Sequence, residues 1–119
     1  MSTRVILADD HPIFRDGLLH SIEETGEFEV VGVAETAADA VRLAAAHAPD
    51  IALLDLSMPG GGNSAAARIT EAGTAGQVAM LTVSEDDTDV TAALGAGAIG
   101  YILKGVSAEE LRRILKRIA

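Results

Sequence analysis

The sequence predicts an α/β domain: a five-stranded parallel sheet with helices on both faces. Three observations carry this reading. Runs such as Val5-Ile6-Leu7 and Ile51-Ala52-Leu53-Leu54 are short and apolar throughout, as strands buried on both faces are. Between such runs the apolar residues switch to helical spacing, bounded by capping residues and glycines. The connections are short, and a regular strand–helix alternation with short connections builds βα units in one sheet.

Each element follows in order. Arg4–Ala8 is the first strand. Pro12–Thr25 is a helix, with Pro12 in the first turn, Gly26 past the end and Phe14, Leu18 and Ile22 on its buried face. Phe28–Val33 is the second strand. Thr36–His47 is a helix with Thr36 as N-cap, Asp39 in the first turn and a stripe of Ala40, Leu43, Ala44 and His47. Ile51–Leu54 is the third strand, and its unbroken apolar run puts it at the sheet centre. Met58 to Gly62 form a loop before a short helix, Ser64–Ala72. Gln77–Thr82 is the fourth strand, and Asp86–Ala96 is a helix with Val90, Ala93 and Leu94 inward. Gly97 and Gly100 bracket the turn into the fifth strand, Ile99–Leu103. Ser107–Ile118 is the last helix, opened by a capping box of Ser107 and Glu110, with Leu111, Ile114, Leu115 and Ile118 inward.

Parallel strands align their carboxyl ends, the edge where open α/β sheets bind ligands. Asp9 and Asp10 follow the first strand, Asp55 the third, Ser84 the fourth and Lys104 the fifth. Two carboxylates ~4 Å apart repel by ~4 kcal/mol at an effective dielectric near 20, so three need a counter-charge. A hard cation supplies it, and oxygen ligands select Mg2+, or Mn2+, over softer metals. Lys104 and Ser84 can donate to phosphoryl oxygens. A carboxylate is a competent nucleophile for phosphoryl transfer, giving an aspartyl phosphate.

Composition bounds the rest. The 119 residues suit one domain, and 49% hydrophobic with 3% aromatic predicts an aliphatic, Ala-rich core. The net charge of −9 argues against direct nucleic-acid binding by this chain. There is no cysteine, and no apolar run approaches the ~20 residues of a membrane span, so the expected location is the cytoplasm. The chain stops inside a Lys/Arg-rich helix, which predicts a longer parent protein cut at a domain boundary.

The segments Leu7-Ala8-Asp9-Asp10-His11-Pro12, Leu54-Asp55-Leu56-Ser57-Met58-Pro59-Gly60, Leu81-Thr82-Val83-Ser84-Glu85 and Gly97 to Lys104 resemble response-regulator receiver domains. The His11-Pro12 pair and the Leu81–Glu85 stretch resemble the NarL/FixJ (LuxR-type) subfamily in particular. The resemblance spans the whole chain, 1–119 as one receiver domain, and implies a flavodoxin-like (βα)5 sandwich with strand order 2-1-3-4-5. It implies that Asp55 accepts a phosphoryl group from a histidine kinase, and that Mg2+ is held by Asp9, Asp10, Asp55 and the main-chain carbonyl of Ser57. Ser84 and Lys104 would bind the phosphoryl group, and the Tyr101 rotamer would report the state of Ser84. Ser57 and Asp86 would tune the phosphoryl lifetime.

The same resemblance implies a switch rather than an enzyme. A phosphoryl group adds roughly two negative charges at pH 7 and shifts a two-state population. The expected output is transcriptional, through dimerisation on the first and fifth helices and a C-terminal helix-turn-helix domain outside this chain, which alone would touch DNA. The alternative is a stand-alone or degenerate receiver acting as a protein-interaction module, but that would lack an acid or the lysine. A dehalogenase-type phosphatase would want a second acid two residues after its nucleophile, and a flavin binder would want a phosphate loop where this chain has acid.

Three local expectations remain. Asn63 and Ser64 stand where the family has Gly and a large apolar residue, so Asn63 is expected to take a left-handed backbone, and the loop and helix after Gly60-Gly61-Gly62 to be unusually mobile. Gly105 follows the lysine where many receivers have proline, which predicts a trans bond. His11 is read as shaping the rim of the site, neither phosphodonor nor ligand, and His20 and His47 as solvated or half-buried.

Overall fold

The computed structural model describes residues 2–83 and 86–119. The strands are β1 (Thr3–Ala8), β2 (Phe28–Ala34), β3 (Ile51–Asp55), β4 (Gln77–Thr82) and β5 (Gly100–Leu103). The helices are α1 (Pro12–Glu23), α2 (Ala37–His47), α3 (Gly62–Ala72), α4 (Asp87–Gly95) and α5 (Ala108–Ile118). All four strand pairings are parallel and the order is β2-β1-β3-β4-β5, as predicted. β3 lies at the centre with all five residues buried.

Capping fixes where the helices start. Thr36 Oγ1 accepts from Asp39 N at 3.2 Å and Ser107 Oγ from Glu110 N at 3.1 Å, satisfying amides that a helix leaves unpaired. Asp86 lies outside α4 and caps it, accepting from Thr88 N at 2.8 Å. α2 ends on Ala48 in the left-handed region (φ 45°), where Arg4 Nη1 donates to His47 O at 2.6 Å and Ala48 O at 3.4 Å. That pairing of orphan carbonyls offsets the backbone cost at a residue with a Cβ.

Two cores form, one on each face of the sheet. Beneath α1 and α5, Val5, Leu7, Leu18, Ile22, Leu53, Leu81, Ile102, Leu111 and Leu115 pack together. Beneath α2, α3 and α4, the core is Ala-rich: Ala8, Ala37, Ala40, Ala44, Ala65, Ala66, Ala93 and Ala98, with Ile6, Leu54, Ile69 and Met80. Ala93 turns inward as expected, but Leu94 is 53% exposed. A stripe of Ala93 and half-buried Val90 is narrower than the sequence spacing suggests, so Leu94 falls outside it.

The segment after β3 departs furthest from expectation. α3 starts at Gly62, two residues earlier than predicted, and Asn63 sits in its first turn. Among the described residues Ala48 alone combines a Cβ with positive φ, so Asn63 is not left-handed. The close approach belongs to Gly62: a Cβ there would stand 2.5 Å from Asp55 O and 2.6 Å from Met80 Cε. Gly60 and Gly61 carry the positive φ values (88° and 87°). The turn is tied by Gly61 N to Met58 O at 2.8 Å, Gly62 N to Leu56 O at 3.0 Å and Ala37 N to Pro59 O at 2.9 Å. Within the glycine run, Gly60 and Gly62 thus serve close packing. No cis peptide occurs among the described residues, Lys104–Gly105 included.

Candidate functional site

Register assembles the site. Ala8 pairs with Leu54, so Asp9 and Asp55 emerge side by side one step beyond. Asp55 in turn pairs with Leu81, and Lys104 N donates to Thr82 O at 2.8 Å, carrying the lysine to the same edge. Asp9 (0% exposed) and Asp55 (1%) are buried, and Lys104 is 11% exposed. Lys104 Nζ lies 3.1 Å from Asp9 Oδ2 and 3.4 Å from Asp55 Oδ1. It also sits 4.7 Å over the Phe14 ring, a cation–π contact that orients it from α1.

The remaining contacts hold the carboxylates in place. His11 N donates to Asp9 Oδ1 at 2.8 Å. Ser57 N and Oγ donate to Asp55 Oδ1 at 3.3 and 3.4 Å. Arg15, which the sequence reading passed over, donates from Nη1 to Asp9 O at 3.2 Å and to Glu35 Oε1 at 2.8 Å, pinning the turn after β1 to the start of α2. Its signal in the sequence is only its place one helical turn after His11, and its partner Glu35 lies twenty residues away.

Burial and charge act oppositely on the two buried acids. Burial pushes Asp9 up, but the His11 N–H and the Lys104 ammonium outweigh it and hold its carboxyl below the usual range. Asp55 is pushed up, first by burial and then by the Asp9 charge, which the Ser57 N–H and Lys104 only partly offset. Asp10 Oδ1 and Asp55 Oδ2 are buried oxygens with no hydrogen-bond partner, and Asp9 Oδ2 has only its ion pair with Lys104. Carboxylate oxygens left under-satisfied at one point fit a bound cation, since buried acceptors otherwise carry a desolvation penalty. Asp9, Asp10, His11 and Asp55 each offer a ligand atom, all within 4.8 Å of one another. An open cleft of about 530 Å³, lined by His11, Phe14, Asp55, Ser57, Val83, Lys104 and Gly105, leads to them.

The family model for the response regulator receiver domain matches residues 5–116. The chain belongs to the receiver-domain family. It is 38% identical over 109 residues to the transcriptional regulatory protein NarL of Mycobacterium tuberculosis, covering 91% of this chain and 50% of that protein. It is 36% identical over 116 residues to the nitrate/nitrite response regulator NarL of Escherichia coli, covering 97% and 54%. The solved receiver domain of Mycobacterium tuberculosis NarL superposes with a TM-score of 0.93 at 35% identity, covering 98% of this chain and 96% of that one. The chain thus spans about half the length of the curated relatives it matches. It is a receiver domain of the NarL type of response regulators. No helix among the described residues is long and apolar enough to cross a membrane.

Within this receiver, the predicted residues Asp9, Asp10, Asp55, Ser57 and Lys104 converge at one point. Tyr101 is half-buried on β5 beside Met80 and packs on the Ala-rich face. Asp86 caps α4, and Ser84 lies outside the described residues. His11 lines the open cleft at its rim. Its side chain is 57% exposed, yet Nδ1 points into the carboxylates, at 2.9 Å from Asp9 Oδ1, 3.3 Å from Asp10 Oδ1 and 3.5 Å from Asp55 Oδ2. Pro12 at the first position of α1 directs the chain here, and His11 as N-cap uses no side-chain hydrogen bond for the helix. Its imidazole is therefore available to the site.

Proposed function

We propose that this domain is a phosphorylation-dependent switch in which Asp55 is the phosphoacceptor and a histidine kinase the donor. One observation carries the reading: a buried, pinned aspartate presents an oxygen without a hydrogen-bond partner beside a lysine ammonium, at the floor of an open cleft. In the transfer, an Asp55 oxygen forms a bond to phosphorus as the P–N bond of a phosphohistidine breaks, and the imidazole leaves with the electron pair. Lys104 stays within reach of Asp55 and compensates the charge that arrives. Ser57 holds Asp55 Oδ1 and thereby the orientation of the carboxylate.

Asp9, Asp10, Asp55 and the Ser57 main-chain carbonyl would hold Mg2+, with Mn2+ as a substitute. The ion, when bound, neutralises the acids and the incoming phosphoryl oxygens. Ser84 would donate to the phosphoryl group alongside Lys104, and Tyr101 would turn inward as that loop shifts. Ser57 and Asp86 would set the lifetime of the acyl phosphate. The output would be transcriptional and cytoplasmic, through a C-terminal DNA-binding domain and a dimer on α1 and α5.

The test is acetyl phosphate with Mg2+, read by intact mass. The wild-type chain gains one phosphoryl group, and Asp55→Asn and chelator-treated samples gain none. An unlabelled wild-type chain with Mg2+ demonstrably bound would refute the assignment of Asp55.

A further inference from the structure

We infer that His11 Nδ1 is a metal ligand, so that the carboxyl-rim nest takes first-row transition ions such as Ni2+ or Zn2+ more tightly than Mg2+. This rests on the reading of the nest as a divalent-cation site and adds a nitrogen donor to it. The distances support the donor role. Ligands about 2.1 Å from one ion lie about 3.0 Å apart at adjacent octahedral positions and about 3.4 Å apart in a tetrahedron. Nδ1 stands 2.9, 3.3 and 3.5 Å from oxygens of Asp9, Asp10 and Asp55, so the ring nitrogen lies at ligand-to-ligand distance from each of the three acids.

A second observation is independent of the spacing. Asp55 Oδ2, on a buried side chain, has no hydrogen-bond partner, and the ring nitrogen points toward it. The nitrogen itself is over-committed. It lies 3.2 Å from Lys104 Nζ as well as 2.9 Å from Asp9 Oδ1, and one ring nitrogen cannot donate to the carboxylate and accept from the ammonium at once. A cation among these groups would accept the nitrogen lone pair and the unpartnered Asp55 oxygen together.

The donor set then selects the metal. Oxygen ligands alone suit Mg2+ and Mn2+, whereas imidazole suits Zn2+ and Ni2+, and affinities rise along the first row. A site of one imidazole and three carboxylates should therefore prefer Ni2+ or Zn2+. Such ions would compete with the ion that supports phosphoryl transfer and couple the receiver to metal excess.

Calorimetric titration of the 119-residue chain with NiCl2 and MgCl2 tests this, using wild type, His11→Gln and, as a surface-histidine control, His20→Gln. The expected result is a wild type that binds Ni2+ at least about tenfold more tightly than Mg2+, and a His11→Gln chain that loses about tenfold or more in Ni2+ affinity. Mg2+ affinity should stay within about twofold in the same variant, which also reports that the carboxylates are still in place. His20→Gln should match wild type. Pulsed EPR of the Cu2+-loaded chain should carry imidazole nitrogen coupling that His11→Gln removes. Unchanged Ni2+ affinity in His11→Gln, or equal loss for both ions, overturns the role of His11 while leaving the Mg2+ reading intact. Failure of the wild type to bind either ion overturns both.

Discussion

The two faces of the sheet are packed by opposite means. Beneath α1 and α5, large side chains such as Leu7, Ile22, Leu53 and Leu115 fill the space between helix and sheet. Beneath α2 and α3, alanines and Gly62 let backbone approach backbone. The first face is therefore injured by removing volume and the second by adding it. The candidate site straddles the two. Lys104 leans on Phe14 of α1, while the turn after Asp55 is tucked beneath Gly62 at the start of α3.

The sharpest way to break this comparison is a pair of substitutions. Leu53→Ala, on the face of large side chains, should cost about 2–5 kcal/mol in urea unfolding through the cavity it leaves. Gly62→Ala should cost about 1–3 kcal/mol, because its Cβ meets the Asp55 carbonyl and the gain of ~1 kcal/mol in helix propensity cannot offset that clash. It should also reduce acetyl-phosphate labelling, since the collision displaces Asp55 itself. A neutral Gly62→Ala would mean that the Ala-rich face has slack after all. Amide exchange sharpens the same point: the Gly62 amide, bonded to Leu56 O, should exchange far more slowly than exposed amides at the end of α3.

Asp55→Asn should move stability the other way. Without divalent ions, neutralising Asp55 relieves the cost of its burial and its repulsion with Asp9, which Ser57 and Lys104 only partly offset, for a gain on the order of 1 kcal/mol. The sign of the pH dependence follows. Asp55 is raised above its ordinary 3.8, so the folded state binds more protons just above that pH and loses stability as pH rises through the raised value. Asp9 is lowered, so its contribution is present above 3.8 and is lost as pH falls through the depressed value. In chelator, wild type should thus lose stability relative to Asp55→Asn from about pH 4 upward and then level off. A pH-independent difference between the two unfolding midpoints would contradict this.

The smallest effect is expected away from both faces. Arg42→Gln removes an exposed pair with Asp39 at 3.5 Å and should change stability by less than about 0.5 kcal/mol.

Legibility in the sequence varied with how local the cause was. Thr36, Ser107 and Pro12 act within one turn of helix, and their effects were readable from neighbours alone. A cap and a first helical residue share the same polar signature, so the sequence alone does not separate Asp86 as N-cap from Asp86 as the first residue of α4. α4 buries little, so the facing of Leu94 depends on the neighbouring elements rather than on its own spacing. A run of glycines does not announce which residue takes the special backbone, and here glycines 60 and 61 take it rather than Asn63.

The sequence by itself determined the parallel sheet, its alternation with helices, and the gathering of Asp9, Asp10, Asp55 and Lys104 at one edge, because strand period and chain direction fix those from local pattern. The tertiary structure alone decided that Arg15 reaches the Asp9 carbonyl, that Gly62 is the close contact under Asp55, and that His11 turns its ring into the acids. Those three depend on how side chains from separate elements meet in space, and no periodicity along the chain encodes such distances.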